Sequence, residues 1–428
     1  MRKYLALTVA AALLLAACKS TSSTATGGGG ATVTTVPITD TRAPGVTDTT
    51  IKVGIVYVDL KPIESIVHIN EGDFPKAYQA LVDDINARGG IHGRKLVATI
   101  VGVNPTIQSA ADQACTKLTQ DEKVFVAVGF FLADNVLCYV DTNQTATIGG
   151  SMTPDRLAQA KAPWYTTDPG VNIEVNAVKK LAAEGKLGKK LAMISTAADE
   201  QIMNQKIKPA LAAAGVTPIS TAVLDAPTND PTATYAQAAT ISERFKSAGA
   251  DQVLVVGESG PGSYLPGLLK TNYRPQVVIS DLYGANAYLG NKANDFSVLK
   301  NAISAGTYGP YDAEYALGGP TKACLDVQRK AGLVIKKSST VPKDQPDQFV
   351  ASILACQQMY LLEAILQKAG PTLNYGTFAA AGNSLGHIVL PGFPDPWDFG
   401  PPPNGDGNPA LYIVKWNPAT STFDIQNS

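Results

Sequence analysis

From Ile51 onward the chain alternates two kinds of segment, and this alternation narrows the possible folds more than any other feature. Short runs rich in β-branched residues, such as IKVGIVYV, RKLVATIVG, KVFVAVG, TATIGG, KLAMIS, PISTAVLD, DQVLVVG and QVVIS, have the length and make-up of buried strands. Between them, apolar residues recur every three or four positions. Phe74, Ala77, Tyr78, Leu81, Val82 and Ile85 make one helical face, with Pro75 suited to its first turn and Gly89-Gly90 to its end. Ile107, Ala111, Ala114, Cys115 and Leu118 make a second face, and Ile173, Ala177 and Leu181 a third. Residues 200–214 read as a helix in which Pro209 predicts a kink or early break. Further helices are expected over Tyr235–Ala248, Ser263–Thr271 and Phe349–Ala369, and ALYIVKWNPATSTFDI near the end reads as a hairpin. Strands that alternate with helices imply parallel sheets covered on both faces. The rhythm restarts near Asn172, and 428 residues suit two lobes, so the expected fold is α/β with two lobes.

The first residues follow another logic. Arg2 and Lys3 precede Leu5 to Ala17, an apolar run broken only by Thr8. A bilayer crossing needs about 20 residues, so this run is too short to span and reads as a secretory signal peptide, residues 1–17. Leu15-Ala16-Ala17-Cys18 resembles the bacterial lipobox, which implies lipid on the Cys18 sulfur and cleavage just before it. One acyl chain holds a protein only marginally, whereas two or more anchor it. Residues 18–48, rich in Ser, Thr and Gly, have too little apolar surface to order themselves and read as a tether. Beyond Cys18 four cysteines remain, an even number in an exported chain. Of the three possible pairings, Cys115 with Cys138 and Cys324 with Cys356 is favoured, because each pair is close in sequence. A net charge of −1 gives no case for a nucleic-acid partner or for peripheral attraction to an anionic membrane.

Several stretches together resemble the branched-chain amino-acid type of solute-binding protein. The most specific is INARGGIHGRKL, residues 85–96; LTQDEKVFVAVG, GGSMTPDRLAQAKAPWYTTDP, AVKKLAAEGKLGKKLAMIS, RFKSAGADQVLVVG and VVISDLYG continue it. The resemblance spans roughly residues 51–370. It implies a type I periplasmic binding fold, with two Rossmann-like lobes joined by three hinge strands that close on a small ligand for delivery to an ABC permease. It places residues 49–167 and 305–392 in the N-terminal lobe, and 168–304 and 393–428 in the C-terminal lobe. A monomer anchored to the cell membrane on its extracytoplasmic side is expected, with no cofactor.

In open α/β sheets, ligands sit beyond the carboxyl ends of the strands. The loops there are 129–135, 149–155, 195–201, 257–263 and 280–286. The first two suit a ligand carboxylate, with Ser151 and Thr153 as hydroxyl donors; Thr153 matches the family's threonine. Asp281 falls where the family holds the ligand's ammonium, and Glu258 is a second acid nearby. Each has a plainer role available: Thr153 and Asp281 as helix N-caps, Glu258 as a solvated loop acid. The family's small hydroxyl residues are replaced here by Phe130-Phe131-Leu132, which points to a more apolar cleft and a hydrophobic or aromatic ligand. One of the two phenylalanines is expected in the core. Tyr57 and Tyr283 are further candidates for the cleft wall, and Trp164 reads as structural.

Enzymatic chemistry finds no support. His68, His92 and His387 lie far apart without metal-ligand spacing, and His92 belongs to a turn. In GESGPG, Pro261 stands where a nucleophile elbow requires glycine. The alternative to transport is a lipid-anchored sensor presenting its closed form to a signalling receptor.

Overall fold

The computed structural model describes residues 43–64, 70–107, 109–168, 170–227, 230–291, 293–307, 314–342 and 345–426. The expected signal peptide, Cys18, most of the expected tether and His68 lie outside them.

The first lobe is built on five parallel strands: β1 (Thr50–Val58), β2 (Lys95–Val103), β3 (Val126–Gly129), β4 (Ala146–Gly149) and β5 (Trp164–Tyr165), in the order β2-β1-β3-β4-β5. Its helices include α1 (Phe74–Ala87), α2 (Ala110–Thr116) and α3 (Pro154–Gln159). The strands lack polar alternation because both faces are covered. Ile51, Val53 and Ile55 point into one core, whereas Val56 points into the other. Asp73 caps α1 by accepting from the Lys76 N–H at 2.9 Å, and Pro75 occupies its first turn. Ile107 departs from the expected helical face. It lies in a turn before α2 and is 51% exposed, and the helix continues through a wider turn over Lys117–Asp121.

After β5 the chain enters the second lobe through α4 (Gly170–Ala183). There it forms β6 (Leu191–Thr196), two short helices α5 (Glu200–Ile202) and α6 (Lys208–Ala213), β7 (Ser220–Leu224), α7 (Pro231–Ser247), β8 (Gln252–Val255), α8 (Gly260–Leu269), β9 (Gln276–Ile279), α9 (Leu282–Gly290) and β10 (Ile303–Gly306). Between α5 and α6 lies a wide π-turn, Met203–Ile207. This is how the chain accommodates Pro209, whose missing N–H cannot serve the regular helical ladder.

The chain returns to the first lobe for α10 (Gly319–Lys330), α11 (Gln348–Ala369), α12 (Tyr375–Asn383) and a small antiparallel pair, β11 (Gly386–Ile388) with β12 (Trp397–Phe399). It then crosses a third time, and the expected hairpin, β13 (Tyr412–Asn417) and β14 (Thr422–Ile425), completes the second sheet. That sheet has the order β14-β13-β10-β9-β8-β6-β7, parallel except at the hairpin. Phe393, Trp397 and Phe399 pack in the first-lobe core, so that core extends beyond the sequence-based boundary at 392. Helix α11 is long and apolar enough to cross a membrane, but 78% of its most apolar window is buried, as suits a core helix.

Both favoured disulfides are present. Cys115–Cys138 ties α2 to the turn Cys138–Thr142, and Cys324–Cys356 ties α10 to α11. His92 sits at φ 47° in its turn with Nε2 2.8 Å from the Gln367 carbonyl, a structural position.

Where β3 and β4 end, the backbone leaves no room for a side chain at Gly149. Gly149 has φ +118°, and a Cβ there would stand 2.0 Å from the Gly129 carbonyl oxygen. Gly185 also has positive φ, +65°, but nothing lies within 4 Å of its Cβ position. We expect Gly149→Ala to destabilise the protein by about 3 kcal/mol or more, and Gly185→Ala by about 1 kcal/mol. Denaturant unfolding of the two variants measures the difference; equal losses would remove the close approach as its cause.

Candidate functional site

The carboxyl ends of the strands in both lobes open onto one cleft. Charges on the two sides act on each other: Glu71 of the first lobe reaches Tyr283 of the second, and Arg156 of the first reaches Glu258 of the second. Asp168, at the first crossing, acts on Glu258, Asp281 and Tyr283 alike.

The first-lobe wall is aromatic and hydroxylic. Tyr57, near the end of β1, stacks on Phe74 at 5.9 Å, and Phe130 meets Phe74 edge-on at 5.9 Å. Phe130 is half-buried beside this wall, whereas Phe131 turns into the core against Tyr139 at 4.8 Å and is only 8% exposed. Phe130 is therefore the aromatic candidate of the pair. Tyr57 and Glu71 also line a small cavity of about 30 Å³, room for roughly one water. Thr153 caps α3, its hydroxyl accepting from the Arg156 N–H at 3.3 Å. The Ser151 carbonyl accepts from Arg156 Nη1 at 3.1 Å. Trp164 is buried, with Nε1 donating to the Gly149 carbonyl at 2.8 Å, a structural role as expected.

The second-lobe wall is acidic. Asp281 caps α9, with Oδ1 accepting from the Tyr283 N–H at 2.8 Å. So the plain capping role is filled, yet the carboxylate also sits among other acids. Burial pushes its pKa well up, and Glu174 adds to the rise. Glu174, in the first turns of α4, is buried and accepts from Ser280 Oγ at 2.7 Å and from the Gly257 N–H at 3.1 Å. Burial raises it to about 7, helped by Asp199 and Glu258 and opposed by those two hydrogen bonds. Glu258 is exposed to the cleft, and burial around it, Asp168 and Asp199 raise it while Arg156 lowers it. Tyr283 reaches the cleft at 57% exposure, with its hydroxyl pushed upward by its surroundings and by Glu71, Asp168, Glu258 and Asp281.

Asp199 anchors this wall. Its Oδ2 accepts from Thr196 Oγ1 at 2.8 Å and from Ser259 Oγ at 2.7 Å. It lies directly over Gly257, where a Cβ would stand 2.1 Å from its carboxyl carbon. The hydroxyl of Ser259 is thus held by a carboxylate that fixes a loop. Among the described residues, no group of His, Cys, Asp or Glu is gathered to hold a metal ion.

Asp168, Glu174, Asp199 and Arg156 join this site without having been singled out in the sequence. Asp199 lies in the loop after a strand end, the one usable signal; Glu174 sits in a helical pattern that does not reveal its burial.

A model of the periplasmic binding protein family matches residues 50–422, and the chain belongs to this family. Solved structures agree on the fold. A solute-binding protein of an ABC transporter from R. palustris, in complex with 4-hydroxybenzoate, aligns over 89% of this chain and 96% of its own, at 15% identity and TM-score 0.61. An ABC transporter substrate-binding protein from Desulfitobacterium hafniense, in complex with Leu, aligns over 88% and 100%, at 13% identity and TM-score 0.62. A fatty acid ABC transporter substrate-binding protein from Thermomonospora curvata aligns over 90% and 93%, at 18% identity and TM-score 0.56. No curated protein matches the chain significantly.

A raised carboxyl pKa favours folding at low pH. The contribution of Glu174 is fully present below its ordinary value of 4.5 and is lost as pH rises through about 7. We expect the melting temperature of the ligand-free protein to fall between pH 5 and pH 8. Glu174→Gln should flatten part of this fall and stabilise the protein at pH 8 by roughly 1–3 kcal/mol. Melting curves across that range, in which the variant keeps the full slope, would refute the assignment.

Proposed function

We propose that this chain is an extracytoplasmic solute-binding lipoprotein that closes on a small amino-acid-like solute and delivers it to an ABC permease. In this reading residues 1–17 are removed, lipid on Cys18 holds the protein to the membrane, and residues 18–48 tether it. The two lobes close about the three crossings, because a ligand touching both walls favours the closed state by its differential contacts.

The carrying observation is the asymmetry of the cleft. The second-lobe wall gathers Glu174, Glu258 and Asp281, whose raised pKa values mean that burial and mutual repulsion outweigh the interactions that favour their charged forms. An ammonium group supplies the missing compensation. The first-lobe wall offers Tyr57 and Phe130 around Phe74 for an apolar or aromatic side chain. Ser151 and Thr153 are assigned to the carboxylate end, Asp281 and Glu258 to the ammonium end, and Tyr283 to the wall between. A hydrophobic carboxylate without an amine is the second reading; the aromatic wall favours it, while the acidic wall opposes it.

A thermal-shift screen over amino acids, their amides, simple amines and aromatic acids separates these readings. Amine-bearing solutes should raise the melting temperature through linkage. Asp281→Asn retains an acceptor for the Tyr283 N–H and removes only charge. It should weaken an amine-bearing solute by about 10- to 100-fold, the range of a charge-assisted hydrogen bond. Shifts produced by aromatic acids alone, or unchanged affinity in Asp281→Asn, would sink the amine reading.

A further inference from the structure

Gly102 is the one glycine in β2, whose sequence is KLVATIVGV. Glycine weakens a strand interior, so its presence calls for a reason. The backbone supplies none, because the φ of Gly102 lies outside the positive region that strains side chains. Burial supplies none either, since Gly102 is exposed on the outermost strand of the first sheet.

The reason lies across the strand pair. Gly102 stands opposite Tyr57 in the parallel register of β1 and β2. A Cβ at Gly102 would lie 2.7 Å from the Tyr57 hydroxyl oxygen and 2.8 Å from its Cζ, well inside contact distance. The tip of the tyrosine therefore rests on bare backbone. No hydrogen bond among the described residues holds that hydroxyl. Packing alone sets the ring, between the backbone of Gly102 and Phe74, which stacks on it at 5.9 Å. A ring that turns about two torsions shifts more cheaply than a paired strand, so an added methyl group would move the tyrosine first. Asp59 Cβ, 3.2 Å from the same point, crowds the other side of the methyl group. The ring then yields toward Phe74, which Phe130 meets edge-on at 5.9 Å. That is the wall the proposed reading gives to the side chain of the solute.

We propose that Gly102 is a positioning residue for solute selection: its missing side chain lets Tyr57 lie back against the strand edge and keeps the aromatic wall open to a bulky apolar or aromatic side chain. This rests on the amino-acid reading above and adds the size class that the wall selects. The acidic wall, in the other lobe, is untouched by a change at Gly102.

Gly102→Ala in the full chain, with Gly102→Ser as a second substitution, tests it by two readouts. The first needs no solute. With 3-fluorotyrosine in place of tyrosine, the fluorine resonance absent from Tyr57→Phe belongs to Tyr57, and Gly102→Ala should move that resonance more than any other. The second is selection, read by calorimetric titration. Gly102→Ala should weaken L-phenylalanine by about tenfold or more and change L-alanine by less than about twofold. In the Tyr57→Leu background the same substitution should change L-phenylalanine by less than about twofold, because the ring it displaces is gone. An unmoved Tyr57 resonance overturns the proposal. So does equal weakening of the two amino acids, the full loss persisting in the Tyr57→Leu background, or binding of L-alanine without L-phenylalanine. If neither amino acid binds the unsubstituted chain, the amino-acid reading fails and the selection role with it, while the fluorine spectrum still reads whether Gly102 sets the ring.

Discussion

The architecture depends on burying parallel strands on both faces. A parallel strand cannot turn back by a tight hairpin, so each return runs through a covering helix. All the parallel strands of a sheet then end at the same edge. In the first lobe this aligns the ends of β1, β3 and β4 and presents Tyr57, Phe130 and the Ser151–Thr153 loop together. In the second it aligns β6, β8 and β9 and presents Asp199, Glu258 and Asp281. The cleft walls are consequences of strand direction, which is why residues far apart in sequence meet there.

The same constraint explains what was legible in the sequence. Strands buried on both faces read as unbroken apolar runs, so β1, β6, β8 and β9 were plain. Local deviations were less so. Ile107 kept the spacing of a helical face but fell in the turn before the helix, where periodicity carries no information about the starting point. Pro209 announced a disturbance without saying that a wider turn would absorb it. Disulfide pairing by proximity succeeded because each pair joins segments neighbouring in space as well as in sequence.

Candidate residues such as Thr153, Glu258 and Asp281 could be put near strand ends from sequence because strand ends could. Their surroundings could not. Phe130 and Phe131 are adjacent and chemically identical, yet one borders the aromatic wall and the other fills the core. Glu174 is harder still. Its acid lies on α4 among residues that show an ordinary helical stripe, and only the packing of α4 against β10 and its neighbours brings it beneath Gly257 and Ser280.

The energetics of the second-lobe wall follow from these placements. Two like charges about 5 Å apart cost roughly 3 kcal/mol at an effective dielectric of 20, whereas an arginine already bonded to Asp134 and the Ser151 carbonyl returns about 1 kcal/mol or less. Arg156 alone therefore cannot offset Glu174, Glu258 and Asp281 when all are ionised. Burial and the neighbouring carboxylates disfavour the charged forms of Asp281 and Glu174, and their raised pKa values express that cost. A neutral solute would leave that cost unchanged, and a simple carboxylate would increase it. On the proposed reading, an ammonium held at Asp281 and Glu258 relieves this repulsion. Solute binding and lobe closure then favour one another, because a solute that neutralises the second-lobe wall also touches the first.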